Sequence, residues 1–247
     1  MKSVDIESFI HDKMFNYTDH GSSDVWVIGD VHGCADQFEQ LLERIYSVNS
    51  GAVVYQLGDM IDRGPDLYRV YQLAEKYDVR LLIGNHEINF LTEHDGFKKC
   101  NSGPRQVTHD RFAQLSEPQQ ELILRRMRTS KNFADITVDR KDFVLSHAPL
   151  HELENRNFVE SMDVGNAWNF CTCNIPYPYP KFARSEVYIH GHQHWNYSYI
   201  GDQIERLNGG ESYSLNIDAG CVYGKSLIAV RLNDYFVLES KCDVDYS

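Results

Sequence analysis

Five times along this chain a short apolar run ends on a turn that carries Asp, Asn or His. Val25-Trp26-Val27-Ile28 leads into Gly29-Asp30-Val31-His32-Gly33, and Ala52 to Leu57 leads into Gly58-Asp59-Met60-Ile61-Asp62-Arg63-Gly64-Pro65. Val79 to Ile83 reaches Gly84-Asn85-His86-Glu87, Phe143 to Leu145 reaches Ser146-His147-Ala148, and Glu186 to Ile189 reaches His190-Gly191-His192-Gln193-His194. Apolar, β-branched runs of this length read as buried strands. In an open α/β sheet, ligands bind where such strands end. The flanking glycines allow tight turns and close approach of a ligand.

Helical spacing follows the first two turns. Asp36 reads as a helix cap with Glu39 at the capping-box position, ahead of a stripe of Phe38, Leu41, Leu42 and Ile45. Asp66 reads as the cap of a helix carrying Leu67, Val70, Leu73 and Ala74. Three strand–ligand–helix units in succession predict a largely parallel sheet with helical crossovers. Thr92 to Asn132 breaks the rhythm and reads as an insertion near the site, helical around Leu122 to Met127. Leu150 to Arg184 reads as a second insertion, a loop whose Pro176, Pro178 and Pro180 exclude regular helix. Tyr213 to Ile217, Leu227 to Leu232 and Tyr235 to Leu238 alternate as strands do and predict a second, antiparallel-tending sheet, with Asn233-Asp234 as a tight turn. With no linker visible, residues 1–247 read as a single domain with a core of about 25–240.

Composition narrows the function classes. Net charge is −12, from 36 acidic and 24 basic residues, which argues against non-specific nucleic-acid binding. No apolar stretch reaches the roughly 18 residues of a membrane span, and Met1 to Asp24 carries no signal-peptide pattern. The six cysteines are scattered, with Cys171 and Cys173 the only close pair, and read as reduced thiols in a cytoplasmic setting. Oligomeric state is left open.

The residues that follow the strands, Asp30, His32, Asp59, Asn85, His147 and His192, are all oxygen or nitrogen donors. That set suits Mn²⁺, Fe or Zn²⁺ better than an all-thiolate structural zinc. It is too large for one ion that must also hold water and substrate, and suits two divalent ions bridged by Asp59. Two ions about 3.5–4 Å apart form a clamp for in-line attack on a phosphorus ester. Arg63 has the planar fork that holds phosphate. His86 directly follows Asn85 and reads as the acid that protonates the departing oxygen, with Asp62 orienting it. Asn85, His86 and Arg63 are therefore the expected substrate contacts, and His86, Asp62 and Arg63 the catalytic ones.

These stretches, with Asn101 to Thr108 and Asn216 to Gly224, resemble the calcineurin-like metallophosphoesterases. The likeness runs from about Val25 to Leu232. The Asp-Arg-Gly extension and the Glu after the Asn-His pair resemble the phosphoprotein phosphatase branch, and within it the small bacterial and phage protein phosphatases and the symmetrical diadenosine tetraphosphate hydrolases. The resemblance implies an α/β fold, a two-sheet β-sandwich flanked by helices. It also implies a first metal on Asp30, His32 and Asp59 and a second on Asp59, Asn85, His147 and His192, with Mn²⁺ the first choice. His194 resembles a ligand of the wider superfamily and is a further candidate for the first metal.

The leading expectation is a phosphomonoesterase acting on phosphoserine or phosphothreonine in proteins, with phosphotyrosine as an extension, by direct attack of metal-activated water. One departure weighs against it. That branch carries a second phosphate-binding arginine after a Trp, and here Ala167-Trp168-Asn169-Phe170-Cys171 has none, with Arg184 the nearest substitute. The alternative is a nucleotide-directed phosphoesterase, acting on dinucleoside tetraphosphates or 2′,3′-phosphate ends, with Tyr177 and Tyr179 as a base-stacking wall. A non-catalytic scaffold is the remote third reading.

Overall fold

The structure is a computed structural model and describes residues 17–97, 103–149, 186–194, 198–210 and 213–246. In chain order its elements are β1 (Thr18–Asp19), β2 (Val25–Ile28), α1 (Ala35–Val48), β3 (Val53–Gln56), α2 (Leu67–Lys76), β4 (Arg80–Leu81), α3 (Asn85–His94), α4 (Pro104–Ala113), α5 (Glu117–Thr129), β5 (Phe133–Val138), β6 (Lys141–Ser146), β7 (Val187–His190), α6 (Ser198–Asn208), β8 (Ser214–Asn216), β9 (Ser226–Arg231) and β10 (Val237–Lys241). Two five-stranded sheets result, one ordered β10-β9-β2-β3-β4 and the other β1-β5-β6-β7-β8. This is the helix-flanked α/β sandwich that the resemblance implies.

Strand periodicity explains the layers. Successive side chains of a strand point to opposite faces. On β2, Trp26 and Ile28 join the core under the helices with Phe38, Leu41, Ile45 and Val70, while Val25 and Val27 join the core between the sheets with Phe143, Leu145, Ile189 and Leu215. β9 divides in the same way, Leu227 and Ala229 against Ile228 and Val230. Strands buried on both faces read as continuous apolar runs, which is why the sequence announces them.

β2, β3 and β4 are parallel, as the sequence predicts. The C-terminal strands differ from expectation. β9 pairs antiparallel with β2 and with β10, so both extend the first sheet, while β8 lies parallel to β7 in the second. β9 is apolar on both faces and completes the free edge of β2, a role that a polar-faced strand could not fill. The second sheet instead starts from the β5–β6 hairpin, which closes through Asp139-Arg140, both at positive φ (49° and 64°). That is the backbone of a two-residue type I′ hairpin turn, and neither residue is the glycine or asparagine that usually signals one.

The α1 cap also differs. Cys34 is the N-cap and Asp36 lies in the first helical turn. Asp36 and Glu39 both accept hydrogen bonds from Arg69 of α2, so they fasten the two helices together instead of capping one. α4 and α5 occupy much of the Thr92 to Asn132 insertion, and Leu150 to Arg184 lies outside the described residues. Among the described residues no helix is long and apolar enough to cross a membrane.

Phe38 is fully buried between α1 and the first sheet. Phe38→Ala is expected to lower unfolding free energy by about 3–5 kcal/mol, read from urea titrations.

Candidate active site

The carboxyl ends of β2, β3, β4, β6 and β7 meet along one edge of the sandwich. Backbone bonds stitch the turns together there: Val31 and His32 donate to the Asp59 carbonyl (3.1 and 2.8 Å), Gly33 to Met60 (2.8 Å), and Gly191 to His147 (2.8 Å). The turns are strained. Nine non-glycine residues among those described have positive φ, and five of them are His32, Asp59, Asp62, Arg63 and His192. Left-handed backbone in non-glycine residues is uncommon and clusters at functional sites. Two glycines make the packing possible. A Cβ on Gly84 would collide with the Asp59 backbone and carboxylate, and one on Gly191 with the Asp30 carboxylate.

Asp59 stands at the centre and is buried. Its Oδ1 accepts the His86 amide at the N-terminus of α3 (3.1 Å), where a helix favours an anion. Its Oδ2 lies 3.3 Å from His147 Nε2, 3.6 Å from His32 Nε2 and 3.7 Å from His86 Nε2. Burial alone would raise its pKa, but His147 and His86 outweigh burial and hold it well below the usual carboxylate range. The turn that carries it is clamped by Glu87. The two Glu87 oxygens accept the amides of Asp59 (2.8 Å), Met60 (2.8 Å), Ile61 (3.2 Å) and Gly84 (2.9 Å).

The imidazoles are oriented by backbone carbonyls. His32 Nδ1 donates to Ile61 O (2.7 Å) and His147 Nδ1 to Leu57 O (2.9 Å). A carbonyl can only accept, so each Nε2 turns its remaining valence into the site. His147 Nε2, His192 Nδ1 and Asn85 Oδ1 converge within 3.0–3.2 Å of one another. Burial opposes charge on His147, yet Asp59 and Asp30 push it up to about 10. Burial, helped by His86, lowers His32 to about 3, and burial with His147 lowers His192 to about 4.

The structure therefore gathers two donor groups that share Asp59, one with His32 and His86 and one with His147 and His192. All their donors are oxygen or imidazole nitrogen, the chemistry a divalent ion of the Mn, Fe or Zn kind accepts. A cation beside Asp59 and His147 would take over the role of the His147 proton. Asp30 is buried with its carboxylate on the His192 amide (3.1 Å). Burial and the nearby Asp218 carboxylate raise its pKa well above the ordinary value. His194 is exposed, with its ring 4.3 Å from that of Tyr223, outside both groups.

His86 Nδ1 donates to Asp62 Oδ2 (2.5 Å), which leaves Nε2 facing Asp59 and the site. Burial opposes the charged imidazole, but Asp59 and Asp62 raise its pKa above the ordinary value. Arg63 donates to His32 Nε2 (2.9 Å) and lies over the Tyr223 ring. Trp168, Tyr177, Tyr179 and Arg184 fall outside the described residues.

Three contributors were not assigned roles from sequence. Thr108 of α4 donates to the second Asp62 oxygen. Asp218 is a buried carboxylate beside Asp30, raised by burial to about 6. Glu87 is the third; its place three residues after Gly84 is the capping-box position, a signal that was available. Thr108 stands in a stretch that carries the resemblance, but its partner could not be named, since only the fold brings α4 to Asp62.

Residues 23–196 match the family model for calcineurin-like phosphoesterase. A symmetrical bis(5'-nucleosyl)-tetraphosphatase of Buchnera aphidicola is 31% identical over 125 residues, 50% of this chain and 43% of that protein. The chain thus matches less than half the length of the curated relatives it first resembles. A solved structure of a candidate diadenosine tetraphosphatase superposes with a TM-score of 0.62 at 16% identity, covering 93% of this chain and 99% of that one. A Saccharomyces cerevisiae serine/threonine phosphatase similar to human PP5 superposes with a TM-score of 0.61 at 12% identity, covering 97% and 87%. The two structural likenesses speak to fold.

Glu87→Gln replaces one acceptor with an NH₂ group facing two amide donors. It is expected to cost about 2–4 kcal/mol, measured by urea unfolding in chelator so that metal occupancy plays no part. In chelator, the His86–Asp62 pair also has a pH signature. The folded His86 pKa lies above its unfolded value of about 6.5, so its stabilisation is full below about pH 6.5 and fades as pH rises through the folded value. The stability gap between wild type and His86→Asn should shrink from pH 6 upward; a gap that widens with pH would contradict it.

Proposed function

The chain belongs to the calcineurin-like phosphoesterase family, and from that premise we propose that it is a dinuclear-metal hydrolase of nucleotide substrates of the dinucleoside tetraphosphate kind. The observation that carries the hydrolytic reading is the pair of donor groups sharing Asp59, with the His86–Asp62 dyad beside them. The nucleotide reading is supported by the tetraphosphatase name of the Buchnera relative and by the sequence around Trp168, which lacks the arginine of the phosphoprotein branch. It is thus preferred to the phosphoserine and phosphothreonine reading that the sequence motifs favoured.

In this proposal Asp30, His32 and Asp59 would hold one divalent ion and Asp59, Asn85, His147 and His192 the other, with Mn²⁺ ahead of Fe or Zn²⁺. When bound, such ions neutralise phosphate oxygens and make water nucleophilic near neutral pH. Arg63 offers its fork to a non-bridging phosphate oxygen. His86, whose pKa Asp59 and Asp62 raise, presents Nε2 to the departing oxygen as the proton donor. Asp62 is itself fixed on its other side by Thr108, so the imidazole is held against rotation. An anhydride leaving group is a nucleoside phosphate, which carries negative charge without protonation. A serine alkoxide cannot, and depends on His86 far more.

The test is product formation with Mn²⁺ on diadenosine tetraphosphate, a 2′,3′-cyclic nucleotide, a phosphoserine peptide and a phosphotyrosine peptide, for wild type and His86→Asn. Fastest turnover is expected on diadenosine tetraphosphate. His86→Asn should slow the phosphoserine reaction by about 10²–10⁴-fold and the anhydride reaction by less. Faster turnover of the peptides would restore the phosphoprotein reading. No turnover of any substrate with metal bound would point to the scaffold.

A further inference from the structure

Behind the active-site edge, three cysteines from distant parts of the chain meet. Cys34 caps α1, Cys221 lies in the loop between β8 and β9, and Cys242 follows β10. All three are free thiols and buried, at 2%, 1% and 2% exposure. Their sulfurs all lie within 4.8 Å of one another. Three donors at about 2.3 Å from a common ion, a typical metal–thiolate distance, would stand about 3.8–4 Å apart, which the triangle accommodates.

The surroundings are built around this triangle. The chain end folds back across the β8–β9 loop: Cys242 donates its amide to Lys225 O (2.6 Å), Tyr246 to Val222 O (2.9 Å), and Tyr223 and Asp245 form a β-bridge. Residues 242–246 therefore cover the loop that carries Cys221. On the other side, Cys34 Sγ lies 3.9 Å from His32 O. The three sulfurs are thus a donor group distinct from the Asp59 groups, and the two share the turn after β2 and the loop after β8.

We propose that Cys34, Cys221 and Cys242 form a three-sulfur binding site for a soft monovalent metal ion of the Cu(I) class. Thiolates select soft ions over the hard or borderline ions suited to the Asp59 groups. Structural zinc takes four donors, and among the described residues this cluster offers three. A disulfide would use two sulfurs and strand the third, whereas one ion uses all three. On binding, each sulfur–metal bond replaces an S–H bond and its proton passes to solvent, with no change of oxidation state.

The experiment uses the full chain with Cys100, Cys171 and Cys173 changed to Ser, fully reduced, free of oxygen and saturated with Mn²⁺. Cu(I) is added from a chelator-buffered stock. The expected result is one Cu(I) per chain, with an ultraviolet sulfur-to-copper charge-transfer band and a copper-edge absorption spectrum reading three sulfur neighbours. Cys221→Ser in that background should weaken binding by more than about 100-fold, beyond what loss of a mere supporting contact costs, with the circular dichroism unchanged. Cys242→Ser, just after β10, serves if Cys221→Ser does not fold. Nitrogen or oxygen neighbours at copper, binding unaffected by either variant, or uptake of Zn²⁺ without Cu(I) would each overturn the proposal. Phosphoesterase activity enters none of these readouts, so the site stands or falls apart from the proposed function.

Discussion

A carboxylate taken out of water costs several kcal/mol unless charge and hydrogen bonds replace its hydration, and Asp59 is such a carboxylate. Its compensation is shared among the N-terminus of α3, His147 across the sandwich, and the imidazoles of His32 and His86. These groups come from three different strand–turn units, those after β2, β4 and β6. The carboxylate therefore ties the edges of both sheets to one point, and the turns around it cannot relax independently. Glu87 secures the same point from below, because its two oxygens collect four amides of the Asp59 and Gly84 turns.

That arrangement accounts for the strained backbone. A left-handed residue costs on the order of 1–3 kcal/mol, and Asp59, Asp62 and Arg63 all have positive φ within one turn. The Glu87 clamp and the buried ion pairs hold them there. The reward is direction: Asp59 faces the imidazoles, Asp62 reaches His86 from the opposite side, and Arg63 lies across His32.

Much of this was legible in the sequence because both faces of the central strands are buried. Val25 to Ile28 and Val53 to Tyr55 are apolar throughout, and the polar turns that follow stood out. The donors after β2, β3, β4, β6 and β7 could be named for that reason. What was not legible depended on pairing across distance. β9 reads as a strand in isolation, but nothing local says that it pairs with β2 and not with β8. The β5–β6 hairpin turns on Asp139-Arg140, a pair without the glycine that usually marks such a turn. Thr108 reaches Asp62 only because α4 packs over the Asp59 turn. Asp36 followed the local capping rule and was misread, because Arg69 on α2 claims its carboxylate.

The turn after β2 shows how one short segment can serve two chemistries. Asp30 accepts the His192 amide and His32 faces Asp59, and the turn then reverses at Gly33, where φ is 71°. That reversal sends Cys34 to the far side as the first capping residue of α1. A cysteine is a poor cap, with no oxygen to offer the helix amides, and among the described contacts it makes no side-chain capping bond. Its presence at a position where serine or aspartate would stabilise the helix by about 1 kcal/mol is understandable if the sulfur serves something other than the helix. The neighbours it meets there are Cys221 and Cys242, two more sulfurs at the end of separate chain segments. Tying the β2 turn to the loop after β8 would also hold Asp218 beside Asp30, so the sulfur cluster and the hydrolytic centre bear on the same two loops from opposite sides.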